Sequence, residues 1–250
     1  MKHLKLGVAT IALLITIGVA NGQETSNLND NSQSDVIVVI GSKLGLTEQE
    51  STDSIELLTA NRLGKDSIFE LSDALSRTPN VSVVGGTLTN INIRGINREG
   101  TGGAGQGEAV NIFLDGAPLS SDAILGSDSI WDVSQVEVLR GSQSILQGRN
   151  AIAGAIVLET NKPTFDWEGA ARVRVAEFGT HQFAGVISGP IIKDQLAFRF
   201  SADFDETEGA IANANTSDKD NSQENLTIRG KLLAVPNAIE RLSALLTVEY

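Results

Sequence analysis

The sequence predicts an α+β domain followed by antiparallel transmembrane β-barrel strands, with the barrel incomplete in this chain of 250 residues. Residues 62–162 hold short apolar runs separated by glycine-rich turns, whereas residues 163–250 hold segments that alternate apolar and polar side chains. Strands of about ten residues with such alternation are typical of a barrel wall. Since an open sheet edge is not tolerated in lipid, we expect the protein to continue past Tyr250 or to be truncated there.

The composition excludes several classes of function. The net charge of −12 argues against nucleic acid as a partner, because phosphate binding needs a basic surface. The chain has no cysteine and only two histidines, His3 and His181. Disulfides and thiolate metal sites are therefore excluded. With only two histidines, the chain has few candidate residues for a zinc site or a serine triad. We expect no catalytic residue, no cofactor and no bound metal.

Residues 1–22 predict a secretory signal peptide. Lys2 and Lys5 form a basic start, and the uncharged apolar stretch 6–19 is short for a membrane span. Small residues suit cleavage before Gln23. The alternative is an N-terminal anchor helix.

Residues 23–61 are predicted to be a flexible periplasmic segment that contains one isolated strand peptide. The polar composition of 23–34 is typical of disorder, and 48–61 is predicted to be a second polar connection. Between them, DVIVVIGSK at 35–43 is a short β-branched run. It is either the first strand of the following domain or a peptide that pairs with a partner protein by strand addition.

A helix is predicted over 66–77 in the α+β domain. Ser67 and Glu70 have capping-box spacing, and Pro79 ends the helix. Short strands are predicted at 81–84, 91–94, 111–114, 136–139 and 155–160.

These elements are expected to share one apolar core, and their long loops indicate binding rather than catalysis. The glycine-rich loop 96–109 matches neither the dinucleotide fingerprint nor the P-loop, so an exposed loop is favoured over a phosphate cradle. The expected core residues are Leu71, Leu75, Val83, Ile93, Ile112, Leu114, Val136, Val138, Ile156 and Leu158.

Two arginine turns interrupt the stretch 136–163. Arg140 precedes a glycine, and Arg149 follows one after a predicted helical turn at 142–146. Both arginines stand at the ends of apolar elements, where glycine allows tight turns. The alternative is a pair of ordinary turns that carry surface arginines.

Five amphipathic strands are predicted after Pro163, joined by alternately short and long connections. Segments 189–194 and 236–240 are short, whereas 205–223 is long and acidic, as expected of periplasmic turns and external loops. A soluble β-sandwich edge is the alternative. The acidic loop lacks calcium-loop spacing, so a solvated loop is favoured there. The strands centre on 167–175, 183–187, 195–204, 226–232 and 242–250.

This order of segments closely resembles the TonB-dependent outer-membrane receptors. The resemblance covers nearly all of the chain after the signal peptide, and the stretch with two arginine turns is its most specific part. Its residues are DVIVVIGSK (35–43), LSDALSRTPNVSV (71–83), NINIRGI (90–96), NIFLDGAPL (111–119), VEVLRGSQSILQGRNAIAGAI (136–156) and ISGPIIKDQLAFRFSADF (187–204).

The resemblance implies a plug domain at 62–162 that fills a barrel of about 22 strands, whose start is 163–250. It implies a TonB box at Asp35, Val36, Ile37, Val38, Val39 and Ile40. Arg94, Arg140 and Arg149 would contact barrel glutamates, because a buried arginine needs a carboxylate partner. Plug loops would reach the external ligand through Gly85, Gly86, Asn90, Asn97, Arg98, Gln106, Ser120 and Ser121.

The implied function is TonB-dependent import of a ferric-siderophore-type complex across the outer membrane of a Gram-negative bacterium, and not an enzymatic reaction. The implied partners are TonB with the ExbB/ExbD energy complex, a ferric chelate or similar small ligand, and outer-membrane lipid. The alternatives are uptake of another scarce nutrient such as cobalamin or a glycan, a passive pore, and a truncated periplasmic binding module.

Overall fold

The computed structural model describes residues 16–19, 40–41, 54–84, 88–98, 108–119, 128–143, 151–209, 211–212, 219–220, 222–237 and 242–250. The chain divides into two compact units, Ser26–Asn161 and Lys162–Tyr250 with Met1–Thr25. In chain order the elements are β1 Thr16–Val19, β2 Ser54–Thr59, α1 Ala60–Lys65, α2 Leu71–Ser76, β3 Val81–Val83, a 3-10 helix Leu88–Asn90, β4 Ile91–Ile93, β5 Ile96–Asn97, β6 Val110–Leu114, β7 Ala117–Pro118, β8 Val133–Arg140, β9 Gly154–Thr160, β10 Glu168–Ala176, β11 Thr180–Ile192, β12 Leu196–Thr207, β13 Ile211–Ala212, β14 Lys219–Asp220, β15 Gln223–Ala234 and β16 Leu242–Glu249.

The first unit, Ser26–Asn161, is built on a five-stranded mixed sheet with the order β2-β8-β9-β6-β7. Only the β6–β9 pair is parallel among these strands. A second sheet holds β3, β4 and β5. The five strands that the sequence predicts in this unit are confirmed, although β8 is longer at both ends than the predicted 136–139.

The expected core of this unit is confirmed. Eight of the ten predicted residues are buried, and Val83 and Leu114 are partly buried and pack against the same cluster. A smaller apolar cluster of Ile55, Leu139 and Val157, joined by Phe113, forms separately.

The predicted helix over 66–77 is wrong in its first turn. Ser67 has a left-handed φ of 52°, and Glu70 is extended at φ −126° and ψ 146°, so the helix begins at Leu71. Glu70 makes no side-chain cap hydrogen bond; instead, the backbone N–H of Leu71 donates to the carbonyl of Asp128 at 2.7 Å. Tertiary pairing has replaced the predicted capping box. No helix in the described part of the chain is long and apolar enough to cross a membrane.

The prediction of a polar connection over 48–61 is wrong from residue 54 onwards. Residues 54–59 form β2, which pairs with β8 and buries Ile55, Leu57 and Leu58. The helix α1 follows at once, with Thr59 Oγ1 accepting a hydrogen bond from the N–H of Arg62. Glu56 among the three apolar residues, and the polar residues on either side of them, hid a strand that lies at a sheet edge.

The second unit, Lys162–Tyr250 with Met1–Thr25, holds a six-stranded antiparallel sheet in the order β1-β16-β15-β12-β11-β10. The five amphipathic strands predicted after Pro163 are confirmed as β10, β11, β12, β15 and β16. In this chain β1, from the predicted signal peptide, pairs with Leu242–Leu245 of β16. The signal peptide itself stays a prediction.

The sheet of the second unit exposes its apolar face and hides its polar face. A soluble sandwich does the reverse, so this distribution contradicts the sandwich alternative. Across β15 and β16, Arg229 Nε bonds Glu249 Oε2 at 2.7 Å. The apolar residues exposed by 40% or more include Val173, Val175, Phe183, Ile187, Phe200, Leu226, Leu232 and Val248. The polar residues exposed by 8% or less include Gln182, Ser188, Arg199, Ser201, Asp203, Arg229 and Lys231.

Candidate functional site

Strand β8 is the element on which the candidate site is built. It lies between β2 and β9, and Val136, Glu137, Val138 and Leu139 are all fully buried. Because successive side chains of a strand point to opposite faces, Val136 and Val138 face the main core, whereas Glu137 lies on the side of Leu139 and the smaller cluster. A carboxylate therefore lies on an apolar face of the sheet, on an interior strand.

The Glu137 carboxylate binds two consecutive backbone N–H groups within the predicted strand peptide 35–43. Ile40 donates to Oε1 at 2.7 Å and Gly41 donates to Oε2 at 2.7 Å. Gln135 Nε2 also donates to Oε1, at 2.6 Å. Burial raises the pKa of Glu137, and these three hydrogen bonds oppose that shift because they favour the ionised form.

Gly41 lies so close to β8 that an added Cβ would have to displace the ends of two β8 side chains. A Cβ on Gly41 would come within 2.8 Å of Glu137 Oε2 and within 2.8 Å of Leu139 Cδ1. Gly41 is itself buried, whereas Ile40 is 39% exposed. Residues 40 and 41 form a bend and a turn.

Arg140, at the end of β8, binds three backbone carbonyls. Its Nη1 donates to the carbonyl of Pro79 at 2.9 Å, and its Nε and Nη2 donate to those of Ser54 and Ile55 at 3.5 Å each. The guanidinium thus connects the first residues of β2 with the turn that follows α2.

Arg94 lies beside the same turn. Its backbone N–H donates to the carbonyl of Asn80 at 2.9 Å, and its φ of 52° is left-handed. Its Nη1 would be 3.5 Å from a Cβ placed on Gly141. The structure therefore brings the Arg94 and Arg140 turns together around residues 79–80, while the side chain of Arg94 remains exposed. Their predicted contacts with barrel glutamates stay a prediction.

Arg98, a predicted ligand-loop residue, is buried in this structure. Only 2% of its side chain is exposed, and its Nη2 pairs with Glu108 Oε1 at 2.6 Å. The N–H of Ala109 donates to the carbonyl of Arg98 at 2.6 Å, which joins the two ends of the loop 98–109. Asn90 and Asn97 are half-buried. The ligand role of all three residues stays a prediction.

Several predicted site residues lie outside the described residues. They are Asp35, Val36, Ile37, Val38 and Val39 of the strand peptide, Arg149, and the loop residues Gly85, Gly86, Gln106, Ser120 and Ser121.

Sequence reasoning missed Glu137. The available signal was a single carboxylate inside the apolar run Val136–Leu139, which indicates a buried charge that needs donors. Within the described ranges, no group of three or more histidine, aspartate or glutamate side chains could hold a metal ion. The arrangement is suited to binding a peptide backbone.

Comparison with known proteins gives a family match for the first unit and related structures for most of the chain. Residues 47–155 match the TonB-dependent Receptor Plug Domain. The Ferrioxamine B receptor of Salmonella typhimurium is 25% identical over 209 residues, which are 77% of this chain and 29% of that protein. The Ferric-pyoverdine BN7/BN8 receptor of Pseudomonas putida is 27% identical over 170 residues, 67% of this chain and 20% of that protein.

Solved structures show the same fold. The ferric yersiniabactin uptake receptor FyuA from Yersinia pestis matches with a TM-score of 0.64 and 24% identity, over 74% of this chain and 29% of that one. The pyoverdine outer membrane receptor FpvA from Pseudomonas aeruginosa matches with a TM-score of 0.67 and 18% identity, over 85% of this chain and 30% of that one. The chain spans less than a third of the length of these relatives.

Proposed function

We propose that the protein imports a ferric-siderophore-type iron complex. The premise is that residues 47–155, which match the TonB-dependent Receptor Plug Domain, form a plug domain of that family. Import would cross the outer membrane of a Gram-negative bacterium, with the plug gating a β-barrel. Relatives named for ferrioxamine B and ferric pyoverdine support this class of cargo. Cobalamin or a glycan is the alternative cargo.

The observation that carries the proposal is the sheet of the second unit, which exposes its apolar face and hides its polar face. Val173, Phe183 and Phe200 are exposed, whereas Arg199 and Lys231 are hidden. Exposing a contiguous apolar face to water is unfavourable, but exposing it to lipid is not, so the sheet suits a barrel wall in a membrane. A plug joined to such a wall suits a gated transporter.

Energy coupling is assigned to Asp35–Ile40 as the TonB box. In this proposal TonB, driven by the ExbB/ExbD complex, pairs with these residues as an added strand and pulls on them. The plug then rearranges and opens a path, and no covalent bond is made or broken. Arg94, Arg140 and Arg149 would contact barrel glutamates and so hold the plug in register.

Deletion of residues 35–40 in the full-length protein tests the proposal. Uptake of a ferric siderophore should be abolished, while binding at the cell surface should be unchanged, because the external loops are intact. Radiolabelled iron complexes measure both quantities in whole cells. Uptake that persists after the deletion, or in cells lacking TonB, would instead establish a passive pore.

A cargo panel separates the remaining alternatives. Hydroxamate, catecholate and mixed ferric siderophores, cobalamin and an oligosaccharide should be offered to the same strain. The proposal expects saturable uptake of at least one ferric complex. Uptake of cobalamin or the oligosaccharide alone would move the protein to another nutrient class.

A further inference from the structure

We propose that residues 159–164 form a junction that is anchored at both ends and limits how far the plug can move during import. The exit anchor is the set of hydrogen bonds that hold residues 159–161 within the first unit. The entry anchor is the set that holds Thr164 within the second unit. The two anchors are independent of the protein's cargo, whereas their role in import rests on the proposed function.

The exit anchor consists mainly of two aspartates that bind two consecutive residues at the end of β9. The N–H and the hydroxyl of Thr160 donate to the two carboxylate oxygens of Asp115, at 2.8 and 2.7 Å. The N–H of Asn161 donates to the carbonyl of Asp132, and its Nδ2 donates to Asp132 Oδ1, at 2.9 Å each. Because Thr160 is also buried, the chain leaves the first unit in a fixed direction.

Local turn chemistry does not explain these bonds. Both aspartates have left-handed backbones, with φ of 49° at Asp115 and 59° at Asp132, and aspartate in a turn commonly bonds its own backbone two residues further on. These bonds run to residues 45 and 29 positions away. Ser134, at the register shift of β8, adds a third long-range bond, from its Oγ to the carbonyl of Glu159 at 2.8 Å. Three successive residues of the exit are therefore held from elsewhere in the first unit.

The entry anchor lies in the second unit and is built on one buried serine. The N–H of Thr164 donates to Ser188 Oγ at 3.0 Å, and Thr164 Oγ1 donates to the carbonyl of Asp166 at 2.9 Å. Ser188 is fully buried on β11, and its own hydroxyl donates to the carbonyl of Phe198 on β12 at 2.9 Å. Thr164 is thus fastened to two neighbouring strands of the six-stranded sheet.

Only Lys162 and Pro163 lie between the two anchors. Proline fixes its own φ and restricts the residue before it, so this connection has few soft dihedral angles. Three Cα–Cα steps separate Asn161 from Thr164, and when fully extended they span about 11 Å. While both anchors hold, the end of β9 therefore moves no farther than this from Thr164.

The length of the connection limits the size of the path that import opens. A barrel of about 22 strands encloses a wide lumen, so a plug that moved without restriction would admit large hydrophilic solutes together with the cargo. An anchored junction keeps the end of β9 in place while the rest of the plug rearranges. Loss of the exit anchor adds residues 160–161 to the free chain, and loss of the entry anchor adds residues 164–167.

The experiment uses the full-length receptor in lipid vesicles, with one variant at each anchor. Asp115→Gly removes the carboxylate, and glycine tolerates the left-handed backbone at this position. Asp115→Asn is the conservative variant, because its amide oxygen still accepts the N–H of Thr160. Ser188→Ala removes the acceptor of the Thr164 N–H.

Two controls and one insertion complete the set. Asp194→Gly removes another left-handed aspartate, in the turn between β11 and β12, and Thr180→Val removes a hydroxyl at the start of β11. Gly-Ser-Gly-Ser inserted between Lys162 and Pro163 leaves both anchors intact and lengthens the connection by up to about 14 Å. The insertion separates the effect of length from the effect of the anchors.

Hydrogen exchange of the anchored amides, resolved to single residues by mass spectrometry, is the first measurement. Asp115→Gly should speed exchange at Thr160 by about tenfold or more, the factor expected for loss of a charge-assisted hydrogen bond. Ser188→Ala should speed exchange at Thr164 by about fivefold, since its bond is between neutral groups. Asp115→Asn should retain most of the protection, and the controls should leave both amides unchanged. Wild-type rates at Thr160 in Asp115→Gly, or at Thr164 in Ser188→Ala, would overturn the anchored junction.

Entry of a fluorescent glycopeptide antibiotic, a large hydrophilic solute, into cells with and without TonB is the second measurement. In cells with TonB, Asp115→Gly and Ser188→Ala should raise entry by the same factor as exchange, because the open fraction of the junction sets both rates. The insertion should raise entry and leave exchange at both amides unchanged. The wild type and the two controls should exclude the solute.

The outcomes distinguish the junction from the proposed function. Faster exchange in the anchor variants, with the solute still excluded from these variants and from the insertion, would overturn the limit on plug movement. A wild-type receptor that takes up no ferric complex in cells with TonB, yet gives the expected exchange rates, would sustain the anchors and overturn the proposed function.

Discussion

Gly154→Ala should destabilise the first unit because Gly154 has no room for a side chain. Gly154 is the first residue of β9, lies opposite Arg140 in register and is buried. A Cβ there would overlap the carbonyl oxygen of Leu139 and lie 2.9 Å from Ile93 Cδ1. The Ile93 methyl group can rotate away, but the Leu139 carbonyl belongs to the interior strand β8 and cannot move without shifting that strand.

The expected loss is about 3 kcal/mol of unfolding free energy, at the upper end of the usual overpacking cost since the clash is with backbone. The matched control is Gly64→Ala, which lies in α1 where a Cβ meets nothing within 4 Å. That change should stabilise by up to about 1 kcal/mol, because alanine favours the helix more than glycine does.

Urea unfolding of the full chain, followed by hydrogen exchange of the peptides that cover β8 and β9, measures both changes. The two variants should shift the midpoint in opposite directions. If the unfolding free energy of Gly154→Ala lies within about 0.5 kcal/mol of the wild-type value, the change behaves like an ordinary surface substitution. The close approach of β8 and β9 would then not be as the structure has it.

Three further outcomes are expected. Arg140→Ala should lower the unfolding free energy by about 2 kcal/mol, because three backbone carbonyls lose their donor. It should also speed hydrogen exchange in β2 and leave ligand affinity unchanged. Lost affinity with normal stability would assign the arginine to the ligand site. Arg98→Ala should lower the unfolding free energy by about 2 kcal/mol, because it breaks the ion pair between the buried Arg98 side chain and the partly exposed Glu108. Proteolysis within 99–107 should become faster, and an unchanged rate would contradict the prediction. Burial raises the pKa of Asp128 above its ordinary value of 3.8, although a hydrogen bond from Ser72 opposes the shift. The folded state therefore holds this proton more tightly than the unfolded state, and wild-type stability should fall as pH rises from 3.8 through the raised pKa. In urea titrations at several pH values, the stability of Asp128→Asn relative to the wild type should rise over that window, and a constant difference would refute the shift.

Strand alternation and apolar runs were sufficient to predict most of the fold. The run 155–160 became β9, and the alternating segment 195–204 became most of β12. Alternation also predicted an apolar face, but only the structure shows that this face is the exposed one. The local sequence pattern shows the periodicity of a strand. Which face of that strand lies towards lipid and which towards polar surroundings depends on the assembled sheet.

The errors arose where long-range pairing overrode local preference. The segment around Ser67 has helical periodicity, yet Glu70 forms a bridge with Ser129, and this holds it extended. The strand β2 lacks clean alternation because Leu57 and Leu58 are adjacent and both buried. Neither partner strand nor bridge is visible in a window of neighbouring residues.

The candidate site was predictable only in part. The Arg-Gly pairs at 94–95 and 140–141 are visible in the sequence, because glycine next to arginine at a strand end indicates a constrained turn. Their meeting around residues 79–80 is a tertiary fact. Glu137 was missed because its donor Ile40 is 97 residues away along the chain.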